Sequence, residues 1–167
     1  MGYDGNLEAD NKIFLEVIEN MNEAFLDERR DLLYYEYLAS LAPTIKEKEA
    51  IYSIMQEKRL FRKMYEELTD IDISNKAEEM LVMPESYLSG ISELIDREER
   101  KVNRYKEIGK GFPPGSPYKY MMFNIISNKL NHITQLKSIL YVNNTINNLI
   151  MNENHIEGDI DYFTLDD

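Results

Sequence analysis

The chain has 167 residues, a net charge of −12 and no cysteine. Its length fits one domain of ordinary size, which can bury a core without cross-links. The lack of cysteine excludes disulfides, thiolate metal sites and cysteine nucleophiles. The excess of acidic side chains repels phosphate backbones and anionic lipid surfaces, so neither nucleic acid nor a membrane is an expected partner.

Targeting and membrane segments are not evident in the sequence. The amino terminus lacks a basic segment followed by an apolar run, and no stretch approaches the roughly 18 apolar residues of a membrane span. We therefore expect a soluble, cytoplasmic protein. We assign residues 1–150 to a single helical domain and residues 151–167 to an acidic carboxy-terminal tail, whose acidic residues include Glu157, Asp159, Asp161, Asp166 and Asp167.

Apolar residues recur at helical spacing in four long segments, and no alternating strand pattern competes with them, which predicts an all-α protein. The first helix starts as early as Asp10, and Pro43 and Thr44 end it and cap the next. The short turn predicts a helical hairpin. The inward stripe of the second helix is predicted to be Ala50, Ile54, Glu57, Phe61, Met64 and Leu68. On this assignment its basic residues form a solvated face: Lys46, Lys48, Lys58, Arg59, Arg62 and Lys63.

A long connection from Thr69 to about Ser86, with one short helix, separates this hairpin from a second one. The third helix ends in the Gly- and Pro-rich stretch 109–117, and the fourth follows it. Two helical hairpins joined by a long crossover are typical of the ferritin-like antiparallel four-helix bundle.

Each predicted helix carries one charged residue near the middle of its apolar stripe: Glu28, Glu57, Glu98 and Lys129. Burying a charge costs several kcal/mol unless the charge is paired or binds a metal. We therefore expect these four charges to satisfy one another or to bind a ligand. Three carboxylates and one lysine leave two excess negative charges, which a protonated His132, a protonated glutamate or a metal would reduce.

The two hairpins repeat one another. Glu28 precedes Tyr35 by seven residues, as Glu98 precedes Tyr105, so each pair lies on one helix face. Lys129 follows Glu98 by 31 residues and Glu57 follows Glu28 by 29. The spacing indicates an internal duplication.

Over residues 20–142 the sequence resembles the rubrerythrin-type branch of the ferritin-like diiron proteins. The resemblance rests on the order and spacing of short segments, which are 37–43 (Tyr-Leu-Ala-Ser-Leu-Ala-Pro), 57–59, 84–87 with Gly90 and Ile91, and 125–127 leading to His132.

This resemblance implies two iron ions held by one Glu from helices 1 and 3 and by Glu-x-x-His pairs from helices 2 and 4. Glu28, Glu57, Glu98 and His132 match four of the six ligands. Leu60 stands in place of the helix 2 His, and Lys129 stands in place of the helix 4 Glu. Lys129 both repels a cation and partly replaces it. The resemblance therefore implies a salt-bridge cluster of Glu57, Glu98 and Lys129, with Glu28 and His132 at its edge.

Two functions remain open on this evidence. The first is a non-catalytic structural or interaction protein with a degenerate metal site, no expected cofactor and an unidentified protein partner. The second is an iron- or manganese-dependent oxidoreductase or peroxidase that keeps one metal at Glu57, Glu98 and His132. The apolar run 121–123 at the start of helix 4 suggests a homodimer contact as an alternative to a buried helix start.

Overall fold

The computed structural model describes residues 4–73 and 82–160, and the side chains of 12–73 and 82–151. This part of the chain forms four helices and no strands. The helices are α1 (Asp4–Leu41), α2 (Ile45–Thr69), α3 (Tyr87–Lys110) and α4 (Pro117–Ile160). None of the described helices is long and apolar enough to cross a membrane.

Local signals in the sequence set the helix ends. The Thr44 hydroxyl accepts a hydrogen bond from the Glu47 backbone N–H and caps α2. Ser86 and Ser89 form a reciprocal capping box at the start of α3. α4 continues to Ile160, so residues 151–160 of the predicted acidic tail are helical, whereas 161–167 lie outside the described residues. The short helix predicted within 69–86 falls largely on residues 74–81, which are also outside them.

Each helix packs against two others. The contacts join α1 to α2, α2 to α4, α4 to α3 and α3 to α1, which arranges the four helices around a common core as in a four-helix bundle. At Gly90 a β-carbon would lie 2.4 Å from a Leu38 methyl group, so the glycine permits close approach of α1 and α3.

The core contains two apolar clusters with a charged layer between them. One cluster includes Tyr34, Leu38, Ile51, Ile54, Ile91 and Leu136. The other includes Met21, Phe25, Tyr65, Tyr105, Phe112 and Met122. In three of the helices a buried charged residue lies between the residues of the two clusters. This residue is Glu28 in α1, Lys58 in α2 and Lys129 in α4. The apolar clusters therefore exclude water from both sides of these charges.

Candidate functional site

Two carboxylates and two ammonium groups meet in the middle of the bundle, one from each helix. Glu28 comes from α1, Lys58 from α2, Glu98 from α3 and Lys129 from α4, and each is at most 5% exposed. We call these four residues the buried cluster. Their formal charges cancel.

The cluster is a closed ring of ion pairs. Lys58 Nζ lies 2.6 Å from Glu28 Oε2 and also contacts Glu98 Oε1. Lys129 Nζ lies 2.9 Å from Glu98 Oε2 and also contacts Glu28 Oε1. Each lysine therefore bridges both carboxylates, and each carboxylate oxygen contacts one of the two ammonium groups of the ring. Charge-assisted contacts of this kind are the ones that compensate for desolvation.

Tyrosine rings cover the two lysines in the same way. Lys58 Nζ lies 5.0 Å from the centre of the Tyr35 ring, and Lys129 Nζ lies 5.3 Å from the centre of the Tyr105 ring. Both distances allow cation–π attraction in a desolvated site. The Tyr35 hydroxyl also donates to Glu98 Oε1 at 3.0 Å. The repeat of glutamate, tyrosine and lysine in the two halves agrees with an internal duplication.

A second layer of ion pairs connects the buried cluster to the surface between α1 and α3. Lys101 Nζ lies 3.5 Å from Glu28 Oε2 and also contacts Asp31. Asp31, which is 4% exposed, accepts a further hydrogen bond from Arg97 at 3.2 Å. Asp31 and Lys101 each stand three residues after the buried glutamate of their helix, so they occupy equivalent positions in the two halves.

The charges shift the pKa values of the two glutamates downward. Burial alone would raise the pKa of Glu98, but Lys129 and Lys58 lower it to about 2. Burial likewise opposes ionisation of Glu28, and Lys101, Lys129 and Lys58 hold its pKa well below the usual range. Burial acts to lower the pKa of Lys58, but Glu28 and Glu98 raise it well above the ordinary value. For Lys129 burial outweighs the same two carboxylates, so its pKa is lowered.

The low glutamate pKa values predict a loss of stability in acid. Glu98 has a folded pKa of about 2 against an ordinary value of 4.5. Below pH 4.5 the unfolded chain takes up a proton that the folded chain refuses, so the free energy of unfolding falls as the pH drops towards 2. Urea unfolding at several pH values in this interval measures the slope. Glu98→Gln should flatten the slope more than Glu99→Gln, which changes an exposed neighbour; equal slopes in the two variants would contradict the assignment.

The sequence led us to expect Glu57 in the buried cluster, but the structure places it outside. Its carboxylate is half-buried and lies 2.8 Å from His132 Nε2. Burial lowers the pKa of His132 despite the hydrogen bond to Glu57, so the ring is neutral at pH 7. Nε2 then donates to Glu57 and leaves Nδ1 as an acceptor. Glu57 and His132 therefore form a hydrogen-bonded pair beside the cluster.

The buried face of α2 is shifted by about one residue from the inward stripe that the sequence predicts. Lys58, predicted on the solvated face, is buried, whereas Leu60, predicted at a ligand position, is 55% exposed. The inward residues of α2 are Ile51, Ile54, Met55, Lys58 and Tyr65. The spacing of Ile51, Ile54, Met55 and Lys58 matches that of Ile91, Leu94, Ile95 and Glu98 on α3. This repeated pattern is the sequence signal that identifies Lys58 as an inward residue.

A small cavity adjoins the cluster on the side of α4. It has a volume of about 20 Å³, which accommodates one water molecule, and its lining includes Glu28, Phe61, Tyr105 and His132. Within the described part of the chain, the Tyr105 hydroxyl and His132 Nδ1 have no hydrogen-bond partner. The tyrosines of the two halves thus differ, because Tyr35 is bonded to Glu98.

One group of carboxylates has the spacing of a metal site. Glu28, Asp31 and Glu98 are buried, and each offers an oxygen within 4.8 Å of the others, so they could hold a metal ion. All three already contact ammonium groups of Lys58, Lys101 or Lys129. A divalent cation would have to displace at least one of these lysines, so the donor set does not fit a two-metal centre.

Comparisons of the chain with protein-family models, with curated proteins and with solved structures give no match. The geometry of the buried cluster is therefore the main evidence on function.

Proposed function

We propose that this chain is a ferritin-like bundle of the rubrerythrin type in which an internal salt bridge has replaced the metal centre, and that it acts as a non-catalytic structural or interaction protein. The observation that carries the proposal is the ring of Glu28, Lys58, Glu98 and Lys129, with one member from each helix. In the rubrerythrin type the middle of the bundle holds carboxylates around two metals. Here two ammonium groups supply the compensating charge.

The proposed topology is two antiparallel hairpins joined by a crossover. The short connection between α1 and α2, and that between α3 and α4, support each hairpin. α2 packs against α4 and α1 against α3, which leaves α2 and α3 diagonal to each other. This diagonal placement supports a crossover between opposite corners of the bundle, which is the connection expected of a ferritin-like bundle.

The corrected register of α2 changes how the resemblance applies. Lys58 follows Glu28 by 30 residues and Lys129 follows Glu98 by 31, so the two lysines correspond. Phe61 then stands three residues after Lys58, as His132 stands after Lys129. On this alignment lysine replaces the glutamate of both Glu-x-x-His pairs, and phenylalanine replaces one histidine.

Metal analysis tests this proposal. We expect protein purified without chelator to contain far less than one iron or manganese ion per chain, because each carboxylate of the buried cluster is neutralised by lysine. Elemental analysis by inductively coupled plasma mass spectrometry measures the content. Tightly bound metal close to one or two ions per chain would overturn the proposal.

A metal-dependent oxidoreductase is the second candidate, with Glu57, Glu98 and His132 as ligands. The half-buried Glu57–His132 pair, with its 2.8 Å contact, supports it. Against it, both oxygens of Glu98 are engaged by lysines. The same metal analysis distinguishes the two candidates, since His132→Ala would abolish metal retention only if this second one is correct.

The proposal includes a surface for a protein partner, with a second copy of the chain as one candidate. Met121 and Met122 are buried, but Tyr120 and Phe123 are 66% and 73% exposed beside them. Large exposed apolar side chains next to each other are typical of interaction surfaces.

A further inference from the structure

A groove between α1 and α3 is lined almost entirely by charged side chains. It has a volume of about 440 Å³, and its lining consists of Asp27, Arg30, Asp31, Arg97, Arg100, Lys101 and Arg104. Five positive and two negative charges make the lining strongly basic, in a chain whose net charge is −12. We call this surface the arginine groove. It lies outside the buried cluster, and it shares Asp31, Arg97 and Lys101 with the second layer of ion pairs.

Four of the five basic residues lie on one face of α3, and the fifth, Arg30, lies on α1 and pairs with Asp27. Arg97, Lys101 and Arg104 are spaced four and three residues apart, which aligns them along about two turns of helix. Asp27 and Asp31 on α1 contact them. A pure ion-pair zipper between two helices needs equal numbers of opposite charges. The groove lining has three more cations than anions. Acidic residues outside the lining also contact three of its cations: Glu23 contacts Arg104, Glu93 contacts Arg97, and Glu28 contacts Lys101.

The protein holds two of the arginines in place. Arg97 lies 4.4 Å above the Tyr34 ring and donates to Asp31 at 3.2 Å. Arg104 donates to Asp27 and to Glu23, the latter at 3.3 Å. A guanidinium group has five N–H donors, so each arginine keeps donors that these bonds do not use. Groups fixed in this way lose little conformational freedom when they bind a ligand.

Arg100 has no role in the internal ion pairs. It is exposed, it lines the groove, and among the described residues no acidic side chain pairs with it. A guanidinium with no internal partner next to two pre-oriented ones is the arrangement that binds phosphate oxygens, because Arg matches their planar, bidentate geometry.

We propose that the arginine groove binds a small soluble molecule through a phosphate dianion, such as a pyrophosphate or a phosphate ester. Its volume lies within the usual range of small-molecule sites, about 300–1,000 Å³. The strongly acidic surface elsewhere opposes large polyanions and anionic bilayers, which must approach over a wide area. A small anion needs only the local excess of positive charge. The inference does not depend on the metal content of the buried cluster, so it can fail or hold independently of the proposed function.

Isothermal titration calorimetry tests this inference. Inorganic pyrophosphate is titrated into the full chain at about 0.15 M salt. We expect saturation at one pyrophosphate per chain. Arg100→Gln should weaken binding about tenfold, as expected for loss of a charge-assisted contact. The variant should keep the wild-type melting temperature. Arg59→Gln is the matched control, since Arg59 is exposed on α2, outside the groove, and it should bind like the wild type.

Three results would overturn the proposal. The first is that the wild type shows no saturable binding of pyrophosphate. The second is that Arg100→Gln and Arg59→Gln weaken pyrophosphate binding equally, which would indicate non-specific charge attraction. The third is binding to vesicles containing phosphatidylserine without binding to pyrophosphate, which would assign the groove to a membrane surface.

Discussion

Replacing Lys129 with methionine is expected to lower the free energy of unfolding by about 3–5 kcal/mol. The variant keeps most of the side-chain volume but removes an ammonium group that contacts both Glu28 and Glu98. The two carboxylates then share Lys58 in a core from which water is excluded. Urea denaturation at pH 7, with the midpoint and slope fitted together, measures the change.

Two further variants show whether the loss comes from the buried charge. Lys137→Met changes a lysine of the same helix that is 56% exposed and pairs with Glu99; it should alter stability by no more than about 0.5 kcal/mol. Adding Glu98→Gln to Lys129→Met removes one uncompensated carboxylate and should restore part of the stability. A near-neutral Lys129→Met would mean that water or a counter-ion already solvates the cluster.

If the proposed rubrerythrin-type alignment is correct, introducing the three metal ligands that the chain lacks is expected to make folding depend on metal. The variant combines Lys58→Glu, Phe61→His and Lys129→Glu, which supplies both Glu-x-x-His pairs beside Glu28, Glu98 and His132. Four carboxylates in one core repel each other without a cation, so we expect a low melting temperature in the presence of chelator. Manganese or ferrous iron should raise it, with binding of about two ions per chain.

A companion variant tests the register of α2. It carries Leu60→His in place of Phe61→His, the choice that the predicted stripe of α2 would suggest. Because Leu60 is exposed, its histidine would lie outside the core, and this variant should bind less metal. If a folded triple variant takes up no metal, the bundle does not have the rubrerythrin-type geometry. If the two variants bind equally, the corrected alignment is wrong.

The sequence was sufficient for the helices because their ends depend on local chemistry. Pro43 and Thr44, and the Gly- and Pro-rich stretch 109–117, determine where helices stop without help from distant residues. The apolar spacing then predicts the all-helical fold. The predicted start of α1 at Asp10 is later than the observed start at Asp4, because Leu7 and Ala9 are the sole apolar side chains of residues 4–9 and carry little periodic signal.

The register of α2 was harder to predict because two stripes one residue apart are almost equally apolar. Glu57 and Lys58 are adjacent, and both continue a helical series that begins at Ile54 or earlier. Glutamate and lysine are both rarely buried, so residue type does not decide between Glu57 and Lys58. Apart from the spacing that α2 shares with α3, the evidence for Lys58 comes from the positions of Glu28, Glu98 and Lys129, which show that a second cation is needed at that depth. The charge balance of four helices is a tertiary property, which the local pattern of one helix does not contain.

The one-to-one ring of contacts in the buried cluster also restricts how the helices can slide along one another. A slip of one helical turn moves a side chain by about 5.4 Å. Apolar residues tolerate such a slip, since another aliphatic side chain takes the vacated place. Lys58 and Lys129 do not, because each must reach both glutamates at once. A misaligned bundle would therefore bury unpaired charges, and the cluster selects a single alignment of all four helices.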